Sequence, residues 1–133
     1  MSFTWIEKFD AAQAREVLNL YEKEWWTKGR QYEDVVQMLD GSDLTIGCCT
    51  HDGELIGFAR VLTDFTFKAF IFDVIVRDDY RGKKLGQEII DRIIAMAPLK
   101  KVTSFELYCP DRLTPFYEKL GFKKSSSNLL IKK

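Results

Sequence analysis

The segment Tyr80–Ile89, YRGKKLGQEI, sets two glycines and three cations between an apolar run and an amphipathic helical pattern. Gly82 and Gly86 are poor helix formers, so their place at a helix start calls for a reason beyond folding. A strand, a glycine-bearing turn and a helix N-terminus together make an anion site. The free N–H groups of the first turn point outward, and the helix dipole adds partial positive charge there. Glycines at 82 and 86 let a phosphate approach the backbone, while Arg81, Lys83 and Lys84 can add charge-assisted contacts. The shape suits a diphosphate; the alternative is a solvated basic turn with an incidental glycine pair. A P-loop is excluded because Gly86 is followed by Gln87 rather than Lys-Ser/Thr. A dinucleotide fingerprint is excluded because no GxGxxG follows the first strand.

The surrounding pattern supplies the elements that would hold such a loop. FTWIEKF alternates as an opening strand. Asp10 and Gln13 form a capping-box pair ahead of AAQAREVLNLYEKEWW, where Ala14, Val17, Leu18, Tyr21 and Trp25 share one helical face. Gly29 interrupts, and a short helix with Tyr32, Val35, Val36 and Leu39 inward follows. DLTIGCCT, the tight turn HDGE and ELIGFARVLTD make a hairpin. FTFKAFIFDVIV predicts a strand buried on both faces at the sheet centre. Leu85, Ile89, Ile93 and Met96 step along one helix face that Pro98 ends. VTSFELYC is a further strand, and PFYEKL is a short helix with Pro115 at its first position. Gly121 suits the C′ position, with Phe122 packing back on Phe116 or Tyr117. NLLIKK can close the sheet. The order predicts an α/β fold over residues 1–133 as one domain, a single mixed sheet with helices packed on it.

Composition narrows the functional classes. The 133 residues suffice for one domain with a real core. Lys+Arg and Asp+Glu number 20 each, so no net field points to nucleic acid or a membrane surface, and an anion site must be built locally. Three cysteines without CxxC spacing and a lone His51 argue against a disulfide framework or a structural zinc site, and no metal is expected. No run has the length of a signal peptide core or a membrane span. These features point to a cytoplasmic protein.

VIVRDDYRGKKLGQEII, followed some thirty residues on by PFYEKLGF, resembles the GNAT family of acetyl-CoA-dependent N-acetyltransferases. In that family a central strand ends in a loop of pattern Arg/Gln-x-x-Gly-x-Gly/Ala that binds the coenzyme A pyrophosphate. Arg81 and Gly86 match, Gly82 matches the common opening, and Lys84 stands where the middle glycine is expected. The resemblance implies a mostly antiparallel central sheet flanked by helices, with acetyl-CoA as acetyl donor. It also implies that the backbone of Val74, Ile75 and Val76 faces the acetyl group and pantetheine arm, and that Arg81, Gly82, Lys83, Lys84, Leu85 and Gly86 hold the pyrophosphate. Tyr117 matches the tyrosine that protonates the leaving thiolate. The asparagine often found seven residues earlier is Pro110 here, so its contact is not carried over.

The implied reaction is direct transfer. A free amine, its ammonium pKa normally near ~10, attacks the thioester. A strand N–H stabilises the oxyanion, and a phenol protonates the thiolate. Asp73, a carboxylate in an apolar run, either acts as a general base through water or pairs with Arg60 on the neighbouring strand. By the resemblance Trp25, Trp26, Lys28 and Arg30 border the acceptor site, where Trp25, Trp26 and Arg30 would touch substrate. His51 carries no assigned role. Cys48 and Cys49 fall on opposite strand faces, and Cys109 reads as a packing thiol. The expected acceptor is a small-molecule amine. Acetylation of a protein N-terminus or lysine is the alternative within the fold, and a non-catalytic acyl-CoA-binding module is the alternative outside it. A third possibility is phosphate or nucleotide binding of another kind. An exposed tryptophan or an edge strand could support a homodimer.

Overall fold

The structure, a computed structural model, describes residues 2–133. Its elements are β1 (Thr4–Ile6), α1 (Ala11–Glu22), α2 (Tyr32–Gly41), β2 (Leu44–Cys49), β3 (Leu55–Thr63), β4 (Lys68–Val76), α3 (Leu85–Ile94), β5 (Ser104–Glu106) and α4 (Thr114–Lys119). The strands form one sheet in the order β1-β2-β3-β4-β5. Its first three pairings are antiparallel and β4–β5 is parallel. A parallel neighbour needs a crossover, and α3 provides it.

Each face of the sheet is covered by helices whose apolar spacing was already visible. On one side α3 sets Ile89, Ile90 and Ile93 against Ile46, Ala59, Val61 and Ile71. On the other, Val17, Leu20 and Tyr21 of α1 and Val35 of α2 pack on Phe58, Leu55 and Ile75. The α1 start is fixed by the capping box: Gln13 N–H donates to Asp10 Oδ1 at 2.8 Å, and Asp10 N–H donates to Gln13 Oε1 at 2.9 Å. Cys48 and Cys49 point to different core clusters, on opposite faces as expected.

Four expectations need correction. First, α1 stops at Glu22 instead of reaching Trp26, because buried Thr27 donates its hydroxyl to the Tyr21 carbonyl at 2.8 Å and folds the chain over the helix end. Trp25 therefore leaves the packed face and is 80% exposed. Second, the strand covered on both faces is β3, whose residues Leu55–Ala59 are all buried. β4 starts only at Lys68, since the Asp64 carboxylate accepts from the N–H groups of Thr66, Phe67 and Lys68 and holds that stretch as a turn. Third, VTSFELYC yields only three strand residues, Ser104–Glu106. Fourth, NLLIKK adds no strand: Leu129, Leu130 and Ile131 are exposed, Leu130 by 90%.

Candidate active site

β4 carries the irregularity that makes the site. Its register with β3 runs Phe58–Ile75 and then Arg60–Phe72, so Asp73 and Val74 together oppose Ala59 in a β-bulge. Asp73 has φ +55°, a left-handed conformation uncommon outside glycine. On the other side β4 pairs with β5 only over Lys68–Phe70, after which the strands part. A cavity of about 470 Å³ lies in the opening, between Ile71–Val74 on one wall and Leu107–Pro110 on the other. Past Phe70 the β4 backbone on that side has no strand partner, and it can hydrogen-bond an extended, amide-bearing ligand as a strand would.

On the α3 side the cavity is apolar and contains Tyr117. Its ring sits edge-on to Phe116 at 4.9 Å and to Phe122 at 5.9 Å. The helix end sets this position. With Gly121 at φ +98°, Phe122 N–H donates to the Tyr117 carbonyl and Gly121 N–H to that of Glu118, a Schellman motif with its apolar contact. Tyr117 is 8% exposed and lines the cavity beside Cys109. Burial first, and the Cys109 thiol second, push its phenol up to about 12, so it stays protonated at neutral pH.

Beyond the far end of β4 lies the basic loop. Gly82 has φ +80° and Lys84, the residue before α3, has φ +64°. Lys84 thus adopts the conformation a glycine would favour at the departing position. The first turn of α3 has no side-chain cap, and a Cβ built on Gly82 would meet nothing within 4 Å. The backbone here is bare enough for a phosphate. Gly86 has a packing reason as well: a Cβ there would lie 3.3 Å from the Phe116 ring.

This pairing of an opened strand edge with a glycine-bearing helix start agrees with what the family comparison finds. The Acetyltransferase (GNAT) family model matches residues 9–122. The chain belongs to the GNAT acetyltransferase family. It is 32% identical over 116 residues to an uncharacterized N-acetyltransferase of Pyropia yezoensis, covering 80% of this chain and 66% of that protein. It is 32% identical over 96 residues to serotonin N-acetyltransferase 2, chloroplastic, of rice, covering 70% and 48%. The chain spans no more than about two thirds of the length of these relatives. Among solved structures, glucosamine-6-phosphate N-acetyltransferase of Arabidopsis thaliana superposes with TM-score 0.80 at 18% identity, covering 99% of both chains. A protein of Clostridium acetobutylicum described as a predicted acetyltransferase and solved with acetyl-CoA superposes at 0.77 with 13% identity, covering 98% and 96%. These likenesses show the GNAT fold, a five-stranded mixed sheet flanked by helices.

Against the GNAT expectations the residues fall in two groups. Trp25, Trp26, Arg30, Asp73, Val74 and Tyr117 all line the one cavity. The loop residues Arg81 to Gly86 do not; they lie beyond the end of β4. Leu85 is buried beneath the loop in a small core cluster, so only its backbone is available to a ligand. The Ile75 side chain packs into the α1–α2 core. The Val76 carbonyl accepts from Arg81 Nε at 3.0 Å. Arg81 also pairs with Asp78 at 2.7 Å and with Glu24, so a phosphate must exchange with these partners to engage it.

Asp73 forms the expected pair with Arg60. Its Oδ2 accepts from Arg60 Nε at 2.8 Å, Tyr21 Oη at 2.9 Å and Arg30 Nη1 at 3.0 Å. Burial alone would raise this carboxyl, but the hydrogen bonds and charges of Arg60 and Arg30 prevail and hold it below the usual carboxylate range. Such a group is a weak base. The same burial and the Asp73 charge push the Tyr21 phenol well above its ordinary value. Tyr21, Phe72, Tyr108 and Arg112 were not singled out from sequence. Tyr21 reads there as an ordinary core residue on the α1 face. Phe72 was available as a signal, two residues from Phe70 and on the same strand face; the two rings stack at 6.1 Å. Nothing in the pattern marks Tyr108 or Arg112.

Proposed function

We propose that this chain is an acetyl-CoA-dependent N-acetyltransferase whose acceptor is a small-molecule primary amine. The observation that carries the reading is the single cavity at the β4–β5 parting, which brings Tyr117 together with Trp25, Trp26 and Arg30. Its volume, about 470 Å³, is that of a small-ligand site. Acetyl-CoA supplies an activated acyl group and a thiolate leaving group. The chain's part is to hold, orient and protonate. The bare first turn of α3, with Arg81, Lys83 and Lys84, receives the pyrophosphate, and the unpaired β4 edge near Val74 aligns the pantetheine arm. The amine's lone pair forms the N–C bond as the C–S bond breaks; one proton leaves nitrogen and one reaches sulfur, so free thiol is released. A β4 N–H near the bulge offers a fixed donor to the carbonyl oxygen.

Tyr117 donates to the departing sulfur. With its phenol near 12 and an ordinary thiol near ~8.5, full proton transfer is uphill in water. A dry site narrows that gap, as the buried Cys48 thiol illustrates; burial first, then the charge of neighbouring groups, raises it to about 12. The reading is tested by thiol release with a panel of amines. Tyr117→Phe is expected to lower kcat about 10- to 100-fold and to leave acetyl-CoA affinity nearly intact. Equal turnover by the variant would remove Tyr117 from the chemistry. A relative named histone acetyltransferase TAP1, of soybean, is 35% identical over 69 residues and covers 52% of this chain and 30% of itself. It motivates a protein lysine as the alternative acceptor, which belongs in the same panel as a basic peptide. The three free cysteines favour a reducing compartment, the cytoplasm in our reading.

A further inference from the structure

Resting on the acetyltransferase reading, we infer that the acceptor is an anionic amine, one carrying a carboxylate or phosphate beside an aromatic or broad apolar body. The cavity has two chemically different ends. Around Tyr117 it is apolar, as a thioester requires. Its charged lining consists of Arg30, Arg60 and Asp73 toward α1 and of the exposed Arg112 in the turn that leads into α4. Three guanidinium groups (+3) against one carboxylate (−1) leave a formal +2. The carboxylate is already committed, since its Oδ2 takes donors from Tyr21, Arg30 and Arg60.

The arginines keep donors to spare. Each guanidinium has five N–H groups. Among the described residues Arg60 uses Nε and Arg30 uses Nη1 on the protein, and Arg112 forms no ion pair. Two of them also sit over aromatic rings, Arg30 over the Tyr21 ring at 4.5 Å and Arg60 over the Phe72 ring at 4.9 Å. One arginine would neutralise Asp73; the surplus is a prepared anion site. Phe72, edge-on to Tyr108 at 5.9 Å, and the two tryptophans offer flat apolar surface to the rest of the molecule.

The surplus charge also acts on the reacting nitrogen. A positive field disfavours an ammonium and lowers its pKa, so the amine loses its proton without a strong base, which the depressed Asp73 is not. An acceptor with only a cationic amine would be repelled on entry. One carrying an anion is drawn in, with its amine already partly deprotonated.

The test uses the full chain at saturating acetyl-CoA and matched pairs: phenylalanine against phenethylamine, tryptophan against tryptamine, and glucosamine 6-phosphate against glucosamine. The anionic member of at least one pair should show a kcat/KM about tenfold or more above its partner. The carboxylate and phosphate pairs identify which anion the site takes. Arg112→Gln should cut kcat/KM for the anionic member about tenfold more than for its counterpart. Higher kcat/KM for the decarboxylated and unphosphorylated amines, or equal values within each pair, would overturn the inference. A separate calorimetric titration with 3-phenylpropionate needs no turnover. Binding in the millimolar range or tighter, weakened by Arg112→Gln, supports the anion site; no binding overturns it. Turnover only of the amines that lack a carboxylate or phosphate would sink this inference and leave the acetyltransferase reading standing. Failure to bind acetyl-CoA would sink the acetyltransferase reading and the acceptor assignment with it, while the 3-phenylpropionate titration would still decide whether the arginines form an anion site.

Discussion

Three donors converge on one oxygen of Asp73, whose side chain is only 6% exposed, and that convergence fixes Arg30 and Arg60 at one end of the cavity. Removing the charge leaves two arginines unneutralised against aromatic rings. Asp73→Asn should therefore cost about 2–4 kcal/mol in urea unfolding. The pH dependence has a definite sign. The folded carboxyl lies below its unfolded value near ~3.9, so the stabilisation is complete above about pH 4 and is lost as pH falls through the lower folded value. Tyr117 behaves in the opposite sense. Raised to about 12, it remains an acid through roughly pH 7–10, where the rate should rise with amine deprotonation and show no fall from this phenol. From sequence, Asp73 stood out because a carboxylate in an apolar run demands a partner, and Arg60 was one of them. Tyr21 and Arg30 as further partners were not legible, because they come from the end of α1 and the segment after it, whose path depends on Thr27.

At the level of elements, the loop before α3 shows how a residue can depart from a pattern while the backbone keeps it. Lys84 has φ +64°, at a cost of about 1 kcal/mol for a side-chain-bearing residue. Lys84→Gly should raise stability by about 0.5–1 kcal/mol, read from the urea midpoint, while acetyl-CoA affinity falls no more than a few-fold. A loss of stability would mean that the Lys84 side chain contributes more than its conformation costs. The capping box, the hairpin turn and the Gly121 helix end were readable because each rests on neighbours in sequence. The parting of β4 from β5 was not. Phe70 and Phe72 look alike in a β-branched, aromatic run, yet pairing with β5 stops between them, and that break opens the cavity.

Across the whole molecule, helices cover both sheet faces, and the cavity opens where β4 parts from β5. The segment after Phe122 takes no part in this, and its Leu129, Leu130 and Ile131 are exposed. Deleting residues 124–133 should change the unfolding free energy by no more than about 0.5 kcal/mol; a larger loss would show that the segment packs in solution. The apolar run Leu129–Ile131 made that segment resemble a closing strand, but an apolar run alone does not supply a partner. Among the described residues no helix is long and apolar enough to cross a membrane. The central claim is that the bare start of α3 and the opened edge of β4 receive acetyl-CoA. It is tested most directly by calorimetric titration of the full chain with acetyl-CoA, beside a Gly86→Glu variant whose fold is checked by circular dichroism. Micromolar binding to the parent chain, lost in the folded variant, is the predicted result. No binding at millimolar acetyl-CoA, or equal binding by the variant, would contradict it.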